Sequence, residues 1–140
     1  MNKLCLAFLI TANFLWSISG AESIHFVNAD VQLGNVGPDQ DIPLTFVLTN
    51  GSEKVIKIIS ADPSCRCVTV VDSPSEIGAH DIGNFELLFS SARSTGMVMR
   101  ALAVELDGGQ VLSAQFTANV LAAPREGSIV PAPGPRDRAY

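Results

Sequence analysis

An antiparallel β-sandwich of about seven strands is the fold class this sequence predicts, and three observations predict it. Apolar and polar residues alternate at period two through several runs rich in Val, Ile, Phe and Thr. Clusters of Gly, Pro, Asn, Asp and Ser separate those runs at short intervals. No window beyond the N-terminal segment sustains a helical period. At 140 residues the chain fits one domain with tails. Its 47% apolar and 16% charged residues exclude a disordered chain, and its formal charge of −5 argues against nucleic acid or an anionic membrane surface as partner.

The first 21 residues read as a secretory signal. Lys3 supplies the positive charge, Leu4 to Trp16 an apolar core, and Ser19 and Ala21 the small residues of a cleavage site. The apolar core is shorter than the roughly 20 residues a spanning helix needs, so the segment is expected to be cleaved rather than kept as an anchor. Cys5 lies too early, among the wrong neighbours, for lipid attachment, and leaves with the signal. Cleavage removes Lys3 and no acid, leaving the mature chain one charge more negative. The expected location is the periplasm or outside the cell, where thiols can pair.

The β-domain is expected over residues 22–122. Ile24–Val27 and Asp30–Leu33 are short apolar pieces before a turn at Gly34–Pro38. The run Ile42–Thr49 puts Ile42, Leu44, Phe46 and Leu48 on one face of a strand. Asn50-Gly51 then predicts a hairpin, with Val55–Ala61 as the returning strand. Pro63 lacks a ladder donor and is expected to break that strand, which resumes from Cys67 to Val71. Ser73 to His80 reads as a loop. Ile82–Ser90 alternates with Phe85, Leu87 and Phe89 inward. Met97–Leu106 places Val98, Arg100, Leu102, Val104 and Leu106 on one row. Asp107-Gly108-Gly109-Gln110 is a tight turn, after which Val111–Val120 pairs back. Residues 123–140 are Pro-rich, with a charged end, and read as a disordered tail.

The order of these parts resembles the DUF1573 family of exported bacterial domains. The resemblance runs from about Phe26 to Val120. It rests on Val31-Gln32-Leu33-Gly34, on the strand ending Phe46-Val47-Leu48-Thr49-Asn50-Gly51, on the run into Ser64-Cys65-Arg66-Cys67, and on Phe85-Glu86-Leu87-Leu88-Phe89-Ser90. Three places depart from the family's pattern. Arg66 and Val68 stand where Cys-Gly-Cys-Thr is usual, Gln32-Leu33 where Asp-Phe precedes the glycine, and Ile77 where Pro precedes Gly78. The resemblance implies an immunoglobulin-like sandwich related to ASH/Hydin modules, and no assigned activity.

Cys65 and Cys67, with Arg66 between them, form the one motif with possible chemistry. In an extended segment residues two apart share a face, so the sulfurs would be neighbours. A direct disulfide there would sit near the long edge of the allowed Cα separation, and so would be strained. Closing three residues contributes roughly 1.6 kcal/mol by loop entropy. Arg66 would favour a thiolate while making the tight bond harder than a glycine would. Three readings compete: a pair that only shapes the strand turn, a thiol–disulfide site, and capture of Cu(I) by two soft thiolates. A closed zinc site would need further ligands, and His25 and His80 stand far apart without ligand spacing.

Other signals carry less. Asn50-Gly51-Ser52 matches a glycosylation sequon but is better read as the hairpin turn. Asp39/Asp41 and Glu105/Asp107 are carboxylate pairs beside turns. No nucleophile elbow, phosphate loop or His-Glu-x-x-His pattern is present, and the chain is expected not to be an enzyme. The expectation is an exported non-catalytic module for protein–protein interaction or envelope assembly, with an unidentified envelope or extracellular protein as partner and no membrane contact after signal cleavage. The alternative is a small thiol-redox or Cu(I)-handling protein acting through Cys65 and Cys67.

Overall fold

The computed structural model describes residues 24–124; the expected signal at 1–21 and the tail from residue 125 onward lie outside the described residues. Nine strands follow in order: β1 (Ile24–Phe26), β2 (Asp30–Val36), β3 (Asp41–Asn50), β4 (Ile56–Pro63), β5 (Val68–Asp72), β6 (Glu76–Ile77), β7 (Ile82–Ser90), β8 (Gly96–Leu106) and β9 (Val111–Val120). They form a four-stranded sheet, β1-β3-β7-β5, and a five-stranded sheet, β2-β9-β8-β4-β6. The chain changes sheet at every connection except the last, β8–β9.

The period-two rows place the core between the sheets. β3 and β7 pair in unbroken antiparallel register from Asp41↔Ser90 to Thr49↔Ile82. Their inward rows, Leu44, Phe46, Leu48 and Phe85, Leu87, Phe89, are buried. The facing sheet contributes Leu102, Val104 and Leu106 from β8 and Ala114, Phe116, Ala118 and Val120 from β9. Phe26 sits edge-on to Phe46 and Phe85, with ring centroids 6.0 and 5.9 Å apart, and Phe89 lies 5.0 Å from Phe116. Each such pair contributes about 0.5–1.5 kcal/mol beyond the area it buries.

The β8–β9 hairpin turns where expected. Gly108 and Gly109 have φ of 92° and 84°, a conformation open to glycine and costly to most other residues. All strand pairs are antiparallel except β2–β9, which is parallel. The chain leaves β1 after three residues and crosses to the other sheet. Asn28 fixes that crossing, accepting from the Val47 amide and donating to the Thr45 carbonyl, each at 2.8 Å.

Several expectations are corrected. Asn50-Gly51 is not a hairpin turn, because β3 and β4 belong to different sheets. Asn50 is instead fully buried as the last residue of β3. Its Nδ2 donates to the carbonyls of Lys54, Ile77 and Gly78, and its Oδ1 accepts from the amide and hydroxyl of Ser52. The dipeptide signals a turn locally but carries no information about the strand that follows. That burial also removes the Asn50 side chain from any glycosylating enzyme in the folded state. Pro63 ends β4 where the break was expected, as its last residue and opposite Leu102. The stretch expected as a loop from Ser73 holds β6, whose Ile77 is buried and packs over Gly83, where a Cβ would meet Ile77 Cγ1 at 2.8 Å.

The Asn50 bracket yields a stability prediction. Asn50→Ala removes the Asn50 donor from three carbonyls, of which Lys54 keeps the Ser52 hydroxyl and Gly78 the Asp81 amide. It leaves the Ile77 carbonyl and the Ser52 amide without that partner in a buried setting, and should lower unfolding free energy by about 2–4 kcal/mol. Urea unfolding measures it. A loss below about 0.5 kcal/mol would show that solvent replaces these bonds readily.

Candidate functional site

Two neighbouring sheet crossings build the site. At the first, the chain leaves β4 for β5. Ser64 extends the ladder, its amide donating to the Ala101 carbonyl (2.8 Å) and its Oγ accepting from the Ala101 amide (3.0 Å). The Val68 amide then donates to the Cys65 carbonyl at 3.1 Å, closing a turn with Arg66 and Cys67 at its centre. The Cys67 carbonyl accepts from the Ser90 amide at 2.8 Å, which fixes the turn against the end of β7.

At the second crossing the chain leaves β7 for β8. The Ser94 amide donates to the Ser91 carbonyl at 3.0 Å, with Ala92 and Arg93 in the middle. Ser91 is buried and holds this turn in place. Its Oγ donates to the Gly37 carbonyl at 2.8 Å and accepts from the Gln40 amide at 2.9 Å.

Cys65 and Cys67 lie at disulfide bonding distance, with Cα atoms 5.1 Å apart. The expectation of a pair near the long edge of the allowed separation assumed extended backbone. The turn shortens that distance into the lower half of the normal range. Arg66 fits the turn without a positive φ; among the described non-glycine residues only Asp39 and His80 have one. An arginine in place of the usual glycine therefore does not hinder the bond here.

Arg100 completes the site, and its place in β8 is unusual. It stands on the inward row between Val98 and Leu102, which are 9% and 0% exposed. A guanidinium cannot be left in an apolar core without partners. Arg100 turns toward the end of the sandwich, where Nη1 donates to the Met99 carbonyl at 2.8 Å and Nε donates to Cys67 Sγ at 3.3 Å. The Cys67 amide donates to Cys65 Sγ at 2.9 Å, so each sulfur has one donor.

Between the two turns lies a cleft of about 350 Å³, lined by Cys65, Arg66, Cys67, Ser90, Ala92, Arg93, Ser94 and Arg100. Every arginine of the described residues lines it, although the chain as a whole carries a net −5. None of its lining residues is an acid or a histidine. Among the described residues the only ion pair is His80 Nε2 with Glu53 Oε1, 3.0 Å apart and away from the cleft. The three guanidinium groups therefore have no carboxylate partner there.

The structure thus brings together the predicted Cys65, Arg66 and Cys67. It leaves His25 on β1 and His80 beside Glu53 outside the cleft. Among the described residues no three of His, Cys, Asp and Glu are grouped to hold a metal ion. Three cationic neighbours oppose a cation such as Cu(I), so the surroundings of the sulfurs suit an anion better. Arg93 and Arg100 escaped the sequence reading. Arg93 sits in a polar connection that gives no cue. Arg100 had one, a charge in the inward phase of an otherwise apolar row.

The family model described as protein of unknown function (DUF1573) matches residues 24–120, and the chain belongs to that family. No curated protein matches it. Its structure is similar to the secreted serine protease VesC from Vibrio cholerae, with a TM-score of 0.60 at 14% identity over 74% of this chain and 24% of that one. It is also similar to the ASH/PapD-like domain 7 of human CEP192, with a TM-score of 0.57 at 12% identity over 74% and 88% of the two chains. The YadV chaperone gives 0.50 at 12% identity over 74% and 54%. At these identities the likeness shows the fold alone, an immunoglobulin-like sandwich. The chain spans only 24% of the length of VesC.

The Arg100–Cys67 contact makes a prediction for the reduced protein. A guanidinium beside the sulfur stabilises a thiolate by a charge-assisted hydrogen bond, so Arg100→Met should leave less of the reactive Cys67 thiolate. Higher intrinsic nucleophilicity offsets part of this, leaving a roughly threefold slower alkylation of Cys67 by iodoacetamide. Peptide mass spectrometry of timed reactions measures it, and an unchanged rate would mean the contact does not survive reduction.

Proposed function

We propose that this DUF1573 member is an exported, non-catalytic binding module that receives an extended segment of an envelope or extracellular protein along the open edge at β5. The observation that carries this reading is the edge itself. β5 ends its sheet, pairs only with β7, and exposes Val71 at 61%. Such an edge offers unpaired backbone donors and acceptors to an added strand. The sandwich supplies a rigid support, and the sequence of residues 1–21 supports export. The cleft offers no carboxylate or histidine to serve as a general base, which supports a binding role over a hydrolytic one. The likeness to the YadV chaperone and to the CEP192 domain agrees with a sandwich that works by contact, at the level of fold.

A second reading is favoured by one specific observation, the arginine at the Cys67 sulfur. Besides giving the guanidinium a partner, a charged donor on the sulfur would stabilise a thiolate formed there, which a turn that only shapes the chain does not require. This reading makes Cys65 and Cys67 a thiol–disulfide site at the head of β5.

Site-directed photo-crosslinking tests the edge reading. A photoreactive residue at Val71 should give a discrete covalent adduct in the envelope of the native host, and the same residue at Glu105, exposed on β8, should give none. Equal labelling at both positions, or none at either with the monomer fully recovered, would remove β5 as the docking edge.

A further inference from the structure

The three arginines of the cleft fall into two groups with different tasks. Arg100 points at one sulfur, while Arg66 and Arg93 sit at the centres of the two turns, exposed, on either side of the opening. An acidic chain that gathers all its described arginines around one disulfide has built a place for a negative ligand next to a reactive bond. We propose that the cleft receives a small anionic thiol, whose carboxylate is held by Arg66 and Arg93 and whose sulfur exchanges with the Cys65–Cys67 disulfide. This inference rests on the thiol–disulfide reading above and adds its substrate class.

The geometry sets the direction of exchange. The incoming thiol loses its proton to solvent and attacks Cys65 Sγ as a thiolate. A new sulfur–sulfur bond forms to Cys65 as the Cys65–Cys67 bond breaks, and its electron pair leaves on Cys67 Sγ. The leaving thiolate is met by Arg100 Nε, already 3.3 Å away. Attack on Cys67 would instead expel Cys65, whose donor is the neutral Cys67 amide at 2.9 Å. A charged donor is worth about twice a neutral one to a developing anion, so Cys67 is the better leaving group. The contact is weak while the sulfur is neutral and strong once it is charged, so it favours the exchange over the resting state. A second thiol of the same kind then attacks the bound sulfur, giving the small-molecule disulfide and the Cys65 thiolate. Two thiols are oxidised and one protein disulfide is reduced.

The test uses the purified protein and three small thiols matched in size: 3-mercaptopropionate (anionic), 2-mercaptoethanol (neutral) and cysteamine (cationic). Rates of mixed-disulfide formation, normalised to thiolate concentration, are read by acid quench and mass spectrometry. The anionic thiol should react on the order of tenfold faster than the neutral one at low salt, and the cationic one slowest. High salt should erase the difference. The double variant Arg66→Gln/Arg93→Gln alters only exposed side chains and should abolish the charge ranking. Arg100→Gln should slow all three thiols alike, and the adduct should map to Cys65. A ranking without charge dependence, or one that survives in the double variant, overturns the anionic substrate while leaving the thiol site standing. Failure of every thiol to form an adduct overturns both.

Discussion

The chain's alternation between sheets is the constraint from which the rest of the structure follows. Every connection but β8–β9 carries the backbone across the core boundary, where no ladder partner is available. Backbone polar groups cannot be left unpaired in a buried crossing. Three crossings solve this with one short polar side chain each: Asn28 between β1 and β2, Asn50 between β3 and β4, and Ser91 between β7 and β8. Asn50 and Ser91 are among the few buried polar residues of the domain. Each reaches a second crossing as well, so the end loops are tied to one another rather than hung separately from the sheets.

The crossing from β4 to β5 is solved differently. It uses a turn whose sulfurs accept from an amide and a guanidinium, with no buried asparagine or serine at its centre. This is also where the inward row of β8 is broken by Arg100. A leucine there would extend the core by one more layer. An arginine opens it, because the guanidinium must reach polar partners and so keeps the end of the sandwich hydrated. The cleft and the charge within it share that one origin. Arg66 and Arg93 then add to the field because two turns happen to present their central residues across the same gap.

Much of the fold was legible in the sequence, and the reason is the strict period of two. The inward rows of β3, β7 and β9 follow from alternation alone, and the β8–β9 turn from its paired glycines. What alternation does not encode is which strand lies beside which. Asn50-Gly51 therefore looked like a hairpin when it is a crossing, and β6, two residues long, has no period to detect. At the site, the spacing of Cys65 and Cys67 was visible, but its geometry was not. Pro63 and Ser64 end the ladder just before the pair, so the backbone turns instead of running extended. The charge of Arg100 was visible in its row, yet only the paired turns show what it reaches.

The size of the effects decides how the cysteine pair should be regarded. A disulfide closing three residues contributes roughly 1.6 kcal/mol through the unfolded chain. The core around it buries four phenylalanines almost completely, and each fully buried large apolar side chain is worth about 1.5–3 kcal/mol. The sandwich does not depend on the bond for its stability. Removing the Asn50 bracket costs more by the same arithmetic. A half-buried, weakly stabilising disulfide facing a cationic cleft is poorly explained as a staple. Its surroundings fit the exchange proposed for the cleft, which would then lie at the head of β5, beside the edge proposed to receive a partner strand.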